Sequence, residues 1–187
     1  MKLATFTLLA VLAVLAAPAA HAVEYTTVLP KQSSVQFEFR QMGVPVKGGF
    51  KRFTTQMQFD PARPEAARAS IEIDLGSIDA GSPEADDESA GKLWFNRSVY
   101  PKATFVSKEV RAFGNNRFEL RGTLTLKGKP RDMVIPVSYA PGKNASTFDG
   151  SFVLKRLDFG IGEGMWADVG TVANEVQVRF RIAATGK

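Results

Sequence analysis

The chain has 187 residues, with 24 basic and 19 acidic side chains, a formal net charge of +5, no cysteine and one histidine. That histidine, His21, lies in an apolar N-terminal segment, so the rest of the chain has neither imidazole nor thiol. This excludes Ser-His-Asp and Cys-His catalysis, histidine-ligated zinc or copper, iron–sulfur clusters and disulfides.

The N-terminal segment has the features of an export signal. A basic start is followed by a nearly unbroken apolar run over residues 3–17, and Ala20-His21-Ala22 supplies small residues at the positions that a signal peptidase needs. The run falls short of the roughly 18–20 residues of a membrane span. We therefore expect residues 1–22 to be a secretory signal peptide and residues 23–187 to form one periplasmic domain. Nucleic acid is not an expected partner there.

Alternation of apolar and polar residues dominates the remaining chain. Four stretches show it most clearly: SSVQFEFR (33–40), ASIEIDL (69–75), RFELRGTLTL (117–126) and NEVQVRFRIA (174–183). Strict period-two patterns predict antiparallel strands with one buried and one solvated face. We count about eight strands, which predicts an all-β, eight-stranded antiparallel β-barrel, an architecture without exposed sheet edges.

Residues 82–99 depart from this alternation. Ser82 is a suitable N-cap, acidic residues follow in the first turn, and Gly91 ends the pattern, which predicts a short helix. The apolar pair Trp94 and Phe95 comes next. We interpret the segment as a crossover that either plugs one end of the barrel as core or covers a cavity.

Glycine-containing stretches separate the strands. The tip formed by Lys127, Lys129 and Arg131 is interpreted as a solvated hairpin turn, with contact to anionic lipid head groups as the alternative. The run GIGEGMW at residues 160–166 lacks the strand–glycine–helix context of a phosphate cradle. We expect a turn at the barrel mouth.

Four stretches in this order resemble the YceI family. They are SSVQFEFRQMGVPVKGGFKRF (33–53), the crossover from DLGSIDAG to YPKATFVS (74–107), GTLTLKGKPRDMVIPV (122–137) and KRLDFGIG (155–162). The resemblance extends over essentially the whole chain after the signal. It implies a lipocalin-like exported barrel that is associated with binding polyisoprenoids.

The candidate ligand-binding residues are the inward-facing apolar side chains of the strands and the aromatics near the mouth. They are Phe37, Phe39, Phe53, Ile71, Ile73, Phe105, Leu124, Ile135 and Phe152 in the wall, and Trp94, Phe95 and Trp166 at the entrance. An eight-stranded barrel is close to the size at which side chains either fill it or leave room for one small ligand. Periodicity leaves both open, and the resemblance favours a cavity.

Arg156 shares the inward face with Phe152 and Leu154. A guanidinium there suits a phosphate or carbonyl head group. The alternative is a buried ion pair with Asp158 or Glu175.

The energetics of burial favour a long ligand. One five-carbon isoprene unit contributes at most about 4 kcal/mol, at roughly 0.8 kcal/mol per buried CH₂. Association costs about 4–15 kcal/mol, so several units must be buried together. We expect a polyisoprenoid, a quinone-like lipid tail or a fatty acyl chain, with no other cofactor.

Other classes of function find less support. The acids of residues 84–88 lack the spacing of a calcium loop and are explained by the helix start, so no metal site is expected. Glu163 and Asp168 are the one carboxylate pair considered for glycoside hydrolysis, and nothing in their spacing supports it.

We expect a non-enzymatic protein, monomeric or homodimeric. The competing interpretations are a structural or stress-response barrel filled by its own side chains, and a small outer-membrane barrel.

Overall fold

The computed structural model describes residues 24–186, so the expected signal peptide and its cleavage point lie outside the described residues. The described chain consists mainly of β-strands. The strands are β1 (Tyr25–Val28), β2 (Ser34–Gln41), β3 (Val44–Phe50), β4 (Phe53–Gln58), β5 (Arg68–Asp74), β6 (Ile78–Asp79), β7 (Lys102–Ala112), β8 (Arg117–Leu126), β9 (Lys129–Ala140), β10 (Ser146–Lys155) and β11 (Glu175–Gly186). One α-helix, α1 (Pro83–Ala90), lies between β6 and β7.

All strands belong to one antiparallel sheet with the order β4-β5-β7-β8-β9-β10-β11-β2-β3-β6, and β1 pairs with β11. Strands β3 and β4 lie near opposite ends of this order, yet only Lys51 and Arg52 connect them. The sheet must therefore curl strongly, and it forms a half-barrel. This confirms the predicted lipocalin-like antiparallel fold, with eleven strands in place of about eight. Two of the additional strands are short, β1 with four residues and β6 with two.

The inward face is apolar, as the alternation predicts. In β2, Val35 is buried and pairs with Phe180 of β11. The next residue of the strand, Gln36, points the other way and is exposed. Pro136 lies within β9 without interrupting it. Pairing of β9 with β10 runs only from Val137 to Ala140, so the missing N–H of Pro136 falls outside that ladder.

The helix forms where the sequence predicts it. The Ser82 hydroxyl accepts a hydrogen bond from the Ala85 N–H at 3.2 Å, and the Gly91 N–H closes the other end on the Glu88 carbonyl. The Asp86 carboxylate accepts from the Ala80 N–H, which anchors the helix beside β6. These contacts hold α1 at one end of the half-barrel.

The interior divides into two halves. In the first, here called the filled half, the rings of Tyr25, Phe59, Tyr139 and Phe148 pack with centroid separations of 5.0–6.3 Å. The hydroxyl of Ser146 is satisfied there by donating to the Tyr25 hydroxyl. In the second, here called the cavity half, a smaller buried cluster leaves an empty space beneath α1 and the crossover.

Candidate functional site

The cavity half contains a space of about 480 Å³, within the range of roughly 300–1,000 Å³ typical of ligand pockets. Its wall is almost entirely apolar. Gln41 contributes an amide, and the apolar wall residues are Val35, Phe37, Phe39, Phe50, Ile73, Leu75, Ile78, Ala80, Ala103, Leu124, Leu126, Phe152, Leu154, Ile161, Val172, Val176 and Val178. Such a wall suits an apolar molecule and offers it little directional bonding.

The mouth is built by α1, the crossover and the segment after β10. Glu84, Ala85, Glu88 and Ser89 of α1 line it. The crossover folds back on the helix because the Phe95 N–H donates to the Ser89 carbonyl at 3.0 Å. This turn points the aromatic pair of the crossover at the cavity.

Trp94 and Trp166 meet at the mouth, with ring centroids 5.5 Å apart. Both indole N–H groups donate to Oε1 of Glu88, at 3.2 Å from Trp94 and 2.8 Å from Trp166. The Leu93 carbonyl accepts from the N–H groups of Gly162 and Glu163, which ties the same two segments together. One carboxylate and one carbonyl thus join three segments around the opening.

Arg156 lines the cavity but is only 2% exposed, and its five N–H donors are all committed to backbone carbonyls. The acceptors are the carbonyls of Ile161, Gly162, Trp166, Val172 and Ala173, at 2.7–3.1 Å. Burial lowers the pKa of the guanidinium, which nevertheless stays charged at neutral pH. Neither expectation for Arg156 is right: it forms no ion pair among residues 24–186, and no donor remains for a head group.

The glycine run after β10 wraps around this arginine. Gly160, Gly162 and Gly164 all have positive φ angles. A Cβ atom on Gly162 would lie 2.2 Å from Nη1 of Arg156. The run is a turn at the mouth, as predicted, and its backbone cradles the chain's own guanidinium.

Lys127 corrects the interpretation of the basic hairpin tip as solvated. Its side chain is 8% exposed, and its ammonium group donates to the Gly160 carbonyl and to the Glu163 carboxylate, the latter at 2.9 Å. The hydrogen bond and charge of Lys127 lower the pKa of Glu163. The β8–β9 hairpin therefore clamps the loop that carries Trp166.

The structure brings nine of the thirteen predicted ligand-binding residues to the cavity: Phe37, Phe39, Ile73, Trp94, Phe95, Leu124, Phe152, Arg156 and Trp166. The other four, Phe53, Ile71, Phe105 and Ile135, do not line it. They pack in or against the filled half. Period-two alternation identifies the inward face, but it does not show how far along the barrel axis each residue lies.

Sequence reasoning missed several lining residues. Val176 and Val178 follow the same alternation as the predicted wall and could have been found from it. Glu88 could not have been found from the sequence, because its hydrogen-bond partners come from two other segments that approach it only in the folded chain.

Both members of the considered carboxylate pair have partners in the structure. Glu163 pairs with Lys127, and Asp168 accepts hydrogen bonds from the backbone N–H groups of Gly170 and Thr171 within its own loop. Among residues 24–186 no cluster of acidic side chains could hold a metal ion. No helix in that range combines the length and apolarity needed to cross a membrane.

The family model for the YceI-like domain matches residues 26–184. The chain belongs to the YceI-like family. This YceI-like domain is 32% identical over 136 residues to a UPF0312 protein of Vibrio cholerae, covering 69% of this chain and 72% of that one. It is 31% identical over 159 residues to a UPF0312 protein of Pseudomonas savastanoi, covering 80% and 82%.

Solved structures agree with the fold of this YceI-like domain. BcnA of Burkholderia cenocepacia superposes with a TM-score of 0.82 at 41% identity, covering 84% of this chain and 99% of that chain. A polyisoprenoid binding domain from Saccharophagus degradans, implicated in plant cell wall breakdown, superposes with a TM-score of 0.66 at 15% identity, covering 89% and 100%. The second similarity concerns the fold alone.

Proposed function

We propose that the protein is a non-enzymatic binding protein that holds a long apolar chain, such as a polyisoprenoid, a quinone-like tail or a fatty acyl chain, in its cavity. The observation that carries this proposal is the apolar space of about 480 Å³, which opens at a mouth with two tryptophans. An apolar ligand that enters a space of this size removes its own surface and that of the wall from water, which is favourable.

One solved structure with the same fold supports a ligand of this class. The S. degradans domain, which shares this fold, is described as polyisoprenoid-binding. We further propose that the protein acts in the periplasm after removal of residues 1–22. N-terminal sequencing of the exported protein tests that step, with Val23 as the expected first residue.

Native mass spectrometry of the protein purified from its own periplasm, followed by solvent extraction, tests the binding function. We expect a stoichiometric adduct that is released as an apolar lipid. A mass that equals the apoprotein and stays unchanged after incubation with prenyl, quinone and acyl lipids would contradict the proposal. That outcome would favour the structural or stress-response alternative.

A further inference from the structure

We infer that the cavity mouth selects tails with an uncharged head group and rejects anionic ones, with Glu88 as the residue that sets this preference. The inference rests on the proposed function, because it concerns the polar end of a tail held in the same cavity. It is carried by the hydrogen-bond donors and the charges that surround the opening.

Nearly all side-chain donors of the lining residues, which a phosphate or carboxylate head group would require, are already used, and the amide of the exposed Gln41 is the exception among the described residues. The indole N–H groups of Trp94 and Trp166 both donate to Glu88, and all five N–H groups of Arg156 donate to carbonyls. The Ser89 hydroxyl donates to the carbonyl of Asp86. An anion that leaves water here would lose its hydration and gain at most the Gln41 amide in return, which is costly.

The start of α1 does not supply donors either. The Ala85 N–H donates to the Ser82 hydroxyl. Pro83 has no N–H, and the Asp86 N–H donates to the Ser82 carbonyl. Hydrogen bonding to its backbone N–H and to Ser82 lowers the pKa of Glu84. The helix terminus, which would otherwise attract an anion, therefore already has an anionic side chain in its first turn.

The exposed charges at the mouth are negative. Glu84 and Glu88 both line the opening and are exposed. Arg156 is the one cation among the described lining residues, and its guanidinium carbon lies 5.8 Å from the centre of the Trp94 ring that covers it. An incoming head group therefore meets two carboxylates before it reaches the buried guanidinium.

A hydroxyl group fits the same site. Glu88 uses Oε1 for both indoles, and its Oε2 has no hydrogen-bond partner in the described part of the chain. A carboxylate oxygen is a strong acceptor for a neutral O–H donor. The ligand class is therefore a long apolar tail that ends in an alcohol or another uncharged donor.

A matched pair of ligands tests this inference. Dissociation constants are measured by isothermal titration calorimetry at pH 7 for geranylgeraniol and geranylgeranyl monophosphate, which share one tail. We expect the alcohol to bind at least about tenfold more tightly, because the carboxylates of Glu84 and Glu88 repel a like charge at the mouth. Glu88→Gln keeps an oxygen for the indoles, and we expect it to reduce the difference to within about threefold.

Asp87→Asn is the matched control, since it removes one negative charge from the same helix at an exposed position that does not line the cavity. We expect it to leave the preference unchanged, and thermal unfolding checks that both variants fold.

Equal or tighter binding of the phosphate by the wild type would overturn the inference and leave the binding function standing. So would an unchanged preference in folded Glu88→Gln. If neither ligand binds, while other long-chain lipids also fail, the proposed function itself is wrong.

Discussion

The rings of Trp94 and Trp166 contact each other at an interplanar angle of 56° at the cavity mouth, although one comes from the crossover before β7 and the other from the loop before β11. They are the only tryptophans of the chain. The apolar run around Trp94 is therefore part of a cover over the cavity. A ligand that enters beside them contacts at least one of these rings.

Replacing Trp94 with alanine should weaken tail binding more than it lowers stability. The ring is only half-buried and faces empty space, so we expect a loss of about 1–2 kcal/mol in the free energy of unfolding. The affinity for geranylgeraniol should fall at least about tenfold, because the ligand loses an aromatic wall. Denaturant titration and calorimetry measure the two effects, and comparable losses in both would make Trp94 an ordinary core residue.

Phe59→Ala is expected to show the opposite behaviour. Phe59 is 5% exposed in the filled half, with rings of Phe118 and Phe148 at 5.3 Å and 5.0 Å. Removing a buried phenylalanine costs about 3–5 kcal/mol of stability. At a temperature where the variant stays folded, its affinity should match that of the wild type. A large loss of affinity would show that the two halves are coupled.

Arg156→Lys should destabilise the fold strongly. Lysine has three donors for five carbonyl acceptors, three of them buried and two part-buried, so at least two of these carbonyls lose their partners. Each such loss costs about 1–3 kcal/mol. Chemical denaturation should therefore show that the free energy of unfolding decreases by roughly several kcal/mol. A variant with wild-type stability that fails to bind tails would instead assign Arg156 to ligand recognition.

Gly48→Ala should narrow the cavity. A Cβ atom there would lie 2.4 Å from both the Asp79 carbonyl oxygen and the Phe37 ring, which covers this glycine across the β2–β3 pair. We expect a stability loss of about 1–3 kcal/mol and weaker binding as the ring moves inward. Gly170→Ala is the control, because its nearest contact would be an ordinary 3.4 Å. An unchanged affinity in Gly48→Ala would mean that the Phe37 ring moves elsewhere.

Glu163→Gln should reduce stability at neutral pH but not in acid. Lys127 lowers the folded-state pKa of Glu163 below its usual 4.5, so the ion pair contributes stability above that pH and loses it as the pH falls through the lowered value. The difference in unfolding free energy between wild type and variant should therefore vanish at low pH. Denaturant titrations from pH 7 to about pH 2.5 measure it.

Glu109→Gln serves as the reference for this experiment, because Glu109 pairs with Arg111 on the exposed surface. A surface pair contributes little to stability, so its removal should have a smaller effect at every pH. Equal pH profiles for the two variants would contradict a clamping role for Lys127 and Glu163.

The sequence predicted the features that depend on local pattern. Alternation identified the inward face of β2 and β11, and Ser82 and Gly91 marked the ends of α1. Position along the barrel axis was not predictable, so Phe105 was assigned to a cavity that it does not reach. The partners of Arg156 were hidden as well, because backbone carbonyls are present at every residue and only the folded loop gathers five of them.

The division of the interior into two halves has a consequence for how the family can diversify. Aromatic packing around Phe59 and Tyr139 maintains the fold at one end, while the residues that would contact a ligand lie at the other. Stability effects are nearly additive for sites that share no packing partners, and the residues that pack against both halves are Leu124 and Phe152. Substitutions in the cavity wall can then alter the shape of the accepted molecule while the aromatic half keeps the chain folded, so one scaffold can acquire new ligands in small steps.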